Sequence, residues 1–491
     1  MRTKTLLFSL FVAMGLQIQA ATLTVTNNNA SGAGSFAQAF TDAVDGDIIV
    51  FNFDGTELSL SDAIPMKSIT IDGFNTFNGY KMVLKQTTAS KSFFTLTSGI
   101  TATFKDIVFD GTGILGNTAL TAANGSTLNI DGCIFKNINA QANNGGAARI
   151  QGVATITSSV FENNITGGGY GGGALCIYNA ATVTIDQCSF VGNTSNASGN
   201  SGGGAIVARG TVATACNVTI TNSTFANNYS GKTGGAILSS VQSSTAYTAN
   251  VTAVNCTFTG NQGDGAISAL TTANGFANVF LVNALVVNNI NVAGDAYSDL
   301  LETAGSNPAT VVKIDPYHVM YTTASATVVT NGRNCIQVAD PATAEIFKSL
   351  ETFATNYKRP VLSEISGNKI AELITGSLAL NAGVATLAGY TIPSVDQLGA
   401  TRPATPSIGA VEYVTGTTVV SEHEDDKLTV RIEGRTVAFT GIEGNQELLV
   451  YSMGGQLTGR YTIGNEEPVQ LTQPGLVLMK IQNNTYKVVV R

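Results

Sequence analysis

The chain has 491 residues, only 12% of them charged, a net charge of -8, 53 glycines and no tryptophan. That balance excludes a nucleic-acid partner, because neutralising phosphates takes clusters of Lys and Arg. A chain filled out with Gly, Thr, Ser and Asn also excludes a helical bundle and suits short strands with tight corners.

At the start, Arg2 and Lys4 precede an apolar stretch from Leu6 to Leu16 and then Gln17-Ile18-Gln19-Ala20-Ala21. This is the pattern of a secretory signal peptide over residues 1–20, cleaved near Ala20. The stretch is shorter than the ~20 residues a spanning helix needs. The chain is therefore expected to be exported, with no transmembrane span after signal removal, to the cell surface, the outer membrane or the medium. Next, Ser35 to Ala43 places Phe36, Ala39, Phe40 and Ala43 on one face of a short helix. A helix there would form an N-terminal cap over the open end of a stack of strands, which would otherwise invite edge pairing.

The middle of the chain repeats. Members of a Gly-Gly-Ala motif begin at Gly145, Gly172, Gly203 and Gly234, with a variant at Gly263-Asp264-Gly265-Ala266-Ile267. They alternate with Phe-x-x-Asn motifs at Phe161–Asn164, Phe190–Asn193, Phe225–Asn228 and Phe258–Asn261, and Leu285 to Asn288 keeps the spacing with Leu for Phe. Counting from Phe109 and Phe135, the intervals are 26 to 35 residues, one supersecondary unit stacked on copies of itself. Alternations such as Val183-Thr184-Ile185 before each Phe are of strand length. The fold class predicted is all-β: a right-handed parallel β-helix, a pectate-lyase-like solenoid with inward stacks of Phe, Ile, Val and Leu. Asn164, Asn193, Asn228, Asn261 and Asn288 should stand one above another as a hydrogen-bonded ladder at about 4.8 Å per step. The longest step should bulge outward, over Asn196 to Gly204.

Two residues before each Phe stand Cys133, Ser159, Cys188, Ser223 and Cys256. Cysteines two coils apart are about 9.6 Å distant, beyond the ~7 Å reach of a disulfide, so they are expected to be free, buried fillers. For chemistry, Asp106, Asp131 and Asp186 precede the Phe column by three or four residues and are the candidate catalytic row. Glycosidases use paired carboxylates and Ca2+ sites use clustered ones. Thr157 and Ser158 in one coil, and Thr221 and Asn222 in another, interrupt that row, which favours turn-forming residues. His318 and His423, the two histidines, are too far apart in sequence to suggest a metal pair. No cofactor or metal is expected, Ca2+ being called for only by a lyase.

The paired Gly-Gly-Ala-Ile and Phe-x-x-Asn motifs, over Gly145 to Asn289, resemble those of chlamydial polymorphic outer-membrane proteins and other bacterial surface β-helices. Leu380-Asn381-Ala382-Gly383, Asp396-x-x-Gly399-x-x-Arg402 and Ile408-Gly409-Ala410-x-Glu412 resemble the choice-of-anchor Q region that closes such helices. From about Gly294 to Lys369 the signatures fade, and Ala344 to Phe353 has helical character. The β-helix with its cap is expected over 21–414. Acidic Glu422-His423-Glu424-Asp425-Asp426 marks a linker over 415–426. Short strands over 427–491 then predict a small C-terminal antiparallel β-sandwich. Its Tyr451-Ser452-Met453-Gly454-Gly455 turn and last strand resemble Bacteroidetes type IX secretion sorting domains, although Val477 stands where an aromatic is usual. That resemblance implies the secretion machinery as a partner of this domain.

Three function classes stay open. One is a noncatalytic, adhesin-like surface protein that binds a glycan, a host surface or an envelope partner through its lateral face and loops. The others are a polysaccharide lyase or glycoside hydrolase on the same scaffold, and a structural envelope protein.

Overall fold

The computed structural model describes residues 20–413 and 429–490. Left out within these are 114–115, 142, 199–200, 306–310, 329, 331, 342–344, 355–356, 366, 434–435, 441–443, 453–456, 465–466, 472–474 and 482–483. The secretory signal, the linker with His423 and the turn after Tyr451-Ser452 lie outside the described residues.

The alternating segments form three long parallel sheets. The first, of 11 strands, runs from Thr22–Val25 to Val311–Tyr317. The second, also of 11, runs from Glu57–Leu60 to Ile336–Gln337, and the third, of 9, from Ile64–Pro65 to Leu300–Thr303. One coil visits each in turn: Thr127–Asp131, Ile134–Lys136 and Ala148–Ile150 are followed by Val153–Thr157, which pairs in parallel with Thr127–Asp131. The result is a parallel β-helix. Four short strands, among them Ile165–Thr166 and Gln262–Asp264, add a small parallel sheet between the second and third.

Phe109, Phe135, Phe161, Phe190, Phe225 and Phe258 are fully buried and stack with ring centroids 4.5 to 5.1 Å apart and interplanar angles of 14° or less. The spacing of parallel strands sets that separation. Burying each ring contributes roughly 1.5–3 kcal/mol.

Each corner of the coil is a column of left-handed residues. After the first sheet come Asp106, Gly132, Ser158, Gln187, Asn222, Asn255, Asn283 and His318, all with φ between 46° and 62°. After the second come Asn137, Asn163, Gly192, Asn227, Gly260 and Asn288. The third column is the first Gly of the four Gly-Gly-Ala motifs, Gly145, Gly172, Gly203 and Gly234, and in the variant motif the left-handed residue is Gly265, one place later in the register. Asn and Gly recur here because they tolerate this conformation. At Gly203 a side chain is also shut out by space, since a Cβ would stand 2.2 Å from the Ile206 carbonyl oxygen.

The asparagine ladder occupies the next position inward. Asn164 Nδ2 donates to Asn193 Oδ1, Asn193 to Asn228, Asn228 to Asn261 and Asn261 to Asn289, each at 2.9 Å. Each Oδ1 also accepts the backbone N–H of the preceding rung. The fifth rung is thus Asn289, not Asn288. The cause is register: Val286, not Leu285, pairs with Phe258, which puts Asn288 (φ 60°) in the left-handed corner. There its Nδ2 donates to the Lys358 carbonyl at 3.0 Å. The ladder ends on Asp299, whose Oδ1 accepts Asn289 Nδ2 at 2.9 Å.

At the other end, helix Phe36–Asp42 is N-capped by Ser35 and sets Phe36 against Phe51 of the first sheet, 6.1 Å between centroids. Lys67 Nζ donates to the carbonyls of Phe40, Thr41 and Ala43, neutralising the helix C-terminus.

Past the last coils the chain turns back along the outside of the second sheet instead of closing the end of the stack. Ile346, Phe347, Ala371, Leu373, Ala379 and Ile408 pack on Leu285, Val287 and Met320. Farther along, Gln397 Nε2 donates to the Cys188 carbonyl at 2.9 Å, and Lys369 pairs with Glu162. This strap contains no helix over its described part of Ala344 to Phe353. Instead strand Leu350–Ala354 pairs antiparallel with Tyr357–Pro360, whose backbone and Arg359–Glu351 ion pair supply partners a lone helical turn would lack. Arg402, buried, fastens the strap: it pairs with Glu412 and donates to Asn222 Oδ1 and to the carbonyls of Gly409 and Ala410.

The last described segment is all antiparallel strands, in sheets of three and four. Val437, Phe439, Leu448, Val450, Ile463, Leu471, Met479 and Ile481 form its own buried cluster.

Candidate functional site

The alternation that sends Val, Ile and Phe inward sends Thr and Asn outward from the first sheet. One outward column runs Thr101, Thr127, Val153, Thr182, Asn217, Asn250 and Asn278, and a second runs Thr103, Asn129, Thr155, Thr184, Thr219 and Thr252. Neither carries a charge over these coils. Asn250 Nδ2 donates to Asn217 Oδ1 and Asn278 Nδ2 to Asn250 Oδ1, both at 2.9 Å, so part of the surface is braced by a second amide ladder. Thr155, Thr182, Thr184 and Thr219 are exposed. The face presents hydroxyls at about 4.8 Å along the stack. It belongs to the same strands whose opposite side fills the core, so it is held rigid.

The candidate carboxylates lie at the edge of this face and do not form one row. Asp131 and Asp186 share a column, with Thr157 between them and Thr221 after them. Asp106 stands three residues before its Phe where the others stand four, so it falls in the left-handed corner column instead. Each is engaged. Thr157 Oγ1 donates to Asp131 at 2.8 Å. Asn222 Nδ2 donates to Asp186 at 3.0 Å, and Thr221 Oγ1 also donates to it. Asp106 is 3.0 Å from Lys81 Nζ. Among the described residues no group of three or more His, Cys, Asp or Glu side chains is placed to hold a metal ion. His318 is a corner residue beside Asn334.

The cysteines are free. In their column, Cys133 and Cys188 give their backbone N–H groups to Ser159 and Ser223 Oγ at 3.0 and 3.1 Å. Burial pushes the Cys133 and Cys256 thiols up to about 12, and Cys188 is raised in the same way. Thiols held protonated are poor nucleophiles.

Two features of the surface escape the sequence. One is the strap, which covers the outward face of the second sheet from Ser189 to Met320. The motifs around Asp396, Arg402 and Glu412 flag it, yet nothing in them says which sheet they would meet. The other is a cleft of about 640 Å³ just short of the strap's end, lined by Gly111, Thr112, Gly113, Asn137, Asn139, Asn163 and Ile165. Its wall mixes asparagine amides and a threonine hydroxyl with glycine backbone and the Ile165 side chain, and Asn137 Nδ2 donates to Thr112 Oγ1 at 3.0 Å. The predicted bulge at Asn196 to Gly204 is partly tied down, because Gly202 bridges to Gly171 and Thr233.

Among solved structures, a crystal structure of pectate lyase Pel9A is similar at 15% identity, over 81% of this chain and 98% of that one, with a TM-score of 0.38. A likeness at that level speaks neither to substrate nor to chemistry. No curated protein matches the chain. A family model described as right handed beta helix region matches residues 93–289, the stretch that holds the phenylalanine column and the asparagine ladder.

Proposed function

We propose that this is a noncatalytic, exported β-helix protein, adhesin-like in use, which holds a glycan, host or envelope surface through the neutral face of its first sheet and the adjoining loops. The observation that carries the reading is the pairing of a rigid, uncharged Thr and Asn face with carboxylates that are each bound by a hydroxyl, an amide or a lysine. Hydrolysis of glycosides takes two carboxylates flanking one bond, and lyase chemistry with Ca2+ takes oxygen ligands gathered in one place. The secretory signal and the C-terminal antiparallel domain support export, with that domain addressing the chain to the secretion machinery and the outer surface.

Placing charge on the face tests the reading without touching the core, since Thr155, Thr184 and Thr219 point outward. Thr155→Lys, Thr184→Lys and Thr219→Lys together should abolish retention on immobilised polysaccharides and on whole cells while leaving the melting curve unchanged. Full retention by the triple variant would refute this face as the contact surface.

A further inference from the structure

The outward side of the third sheet differs from the neutral face. Arg209, in strand Ile206–Gly210, is 9% exposed. Its guanidinium lies over the Tyr170 ring, 4.2 Å from the centroid, and Nη2 donates to Gln242 Oε1 at 3.1 Å. Nε and Nη1 are closed off from solvent and have no hydrogen-bond partner. Among the described residues no carboxylate is paired with it. A guanidinium cannot shed its charge, and a buried charge is costly unless it is paired.

The surroundings are built for an anion carried on a ring. Strand register sets Tyr178 beside Arg209, and Arg149 beside Cys176, so arginines lie one coil to either side of the Leu175–Tyr178 strand. Tyr170 and Tyr178 meet edge to face at 5.4 Å. Arg149, Tyr170 and Tyr178 are partly exposed and form the rim, with Arg209 as the floor. In a chain of net charge -8, this patch holds two arginines, and the outward positions of its strands, Arg149, Cys176, Tyr178, Val207 and Arg209, include no acid.

We propose that Arg209, with Tyr170, Tyr178 and Arg149, forms a binding site for a carboxylate-bearing sugar. The carboxylate takes the unpartnered Nε–H of Arg209 in a charge-assisted hydrogen bond. The sugar ring lies against the tyrosines, and Arg149 attracts the anion from the rim. Entry requires the Tyr170 ring to swing aside; it sits in Gly167–Gly173, where six of seven residues are glycine. The sugar half of this proposal rests on the glycan-binding reading above, whereas the anion half rests on Arg209 alone.

The test titrates the full mature protein with a glucuronate-containing hexasaccharide, a neutral glucose hexasaccharide, sodium acetate and inorganic phosphate, by calorimetry. The glucuronate probe should bind Arg209→Gln and Arg209→Lys about tenfold or more weakly than the parent, the loss expected when charge-assisted hydrogen bonds go. Acetate should compete with it, and the neutral probe should not bind here. Arg149→Gln should keep the site and flatten its salt dependence. Because Arg209 variants can fail to fold, the parent is also followed by the NMR signal of the Arg209 Nε–H, which should shift on adding the glucuronate probe. Equal binding of charged and neutral probes, unaltered by Arg209→Lys, overturns this site and leaves the neutral-face reading standing. A shift with acetate or phosphate but not with the glucuronate probe overturns the sugar and shows a simple anion site.

Discussion

Cutting one rung from the asparagine ladder should cost far more than cutting the asparagine beside it. Asn228 donates to the Phe190 carbonyl and to Asn261 Oδ1, and its Oδ1 accepts both the Asn193 backbone N–H and Asn193 Nδ2, all between 2.9 and 3.0 Å. Asn228→Ala removes all four bonds and strands two donors of Asn193 in a buried setting. At about 1–3 kcal/mol for each stranded group, the loss is roughly 2–6 kcal/mol. Asn289→Ala should cost a similar amount, because it holds the Phe258 carbonyl, Asn261 and Asp299 together. Asn288→Ala gives up one bond, to Lys358, and a left-handed preference, about 1–2 kcal/mol in all. Urea unfolding followed by circular dichroism measures all three. If Asn288→Ala proved as damaging as Asn289→Ala, or Asn228→Ala cost under about 1 kcal/mol, the ladder and its register would be wrong.

Burial pushes the Asp299 carboxyl up to about 7, against hydrogen bonds from Asn289, Thr322 and Thr323 that pull it down. Between about pH 4 and 7 the folded chain therefore holds a proton that the unfolded chain has lost, so stability falls as pH rises through that window and levels off above it. Asp299→Asn should remove that slope, and identical pH curves for parent and variant would count against it. A thiol reagent at pH 8 should leave the five buried cysteines unlabelled in the native protein, with half-buried Cys335 at most reacting, and should label all six in urea; fewer than six would mean a disulfide. Arg402→Ala strands buried Glu412 and should cost about 3–5 kcal/mol. It should also free the strap to limited proteolysis ahead of the coils, whereas unchanged cleavage would mean that Arg402 does not fasten it.

Repetition made the stack legible: inward Phe, alternate Cys and Ser, and Gly at one corner each return at a fixed place in the coil. The ladder register failed where the motif lost its ring. With Leu285 and Val286 adjacent, the sequence offers two candidates for one inward position, and the wrong one moves Asn288 into the ladder by a single residue. The Asp106 offset is a second one-residue slip, with the ring of Phe109 in place: a step of three instead of four moves the side chain from strand to corner. Arg209 and the strap were hidden for another reason. Arg209 has no motif of its own and gains meaning only when Tyr170, 39 positions earlier, is folded onto its face. The strap's contacts span up to 209 positions, as between Gln397 and Cys188, and no local pattern encodes such a pairing.

Binding of a glycan, host or envelope surface without cutting it, as proposed for the stack, is tested most directly by incubating the mature protein with a broad glycan and mucin panel. Retention and release of new chain ends are measured on the same samples. The predicted result is retention that the Thr155, Thr184 and Thr219 lysine variants lose, with no new reducing or unsaturated ends. Sustained depolymerisation that Asp131→Asn and Asp186→Asn abolish would contradict it.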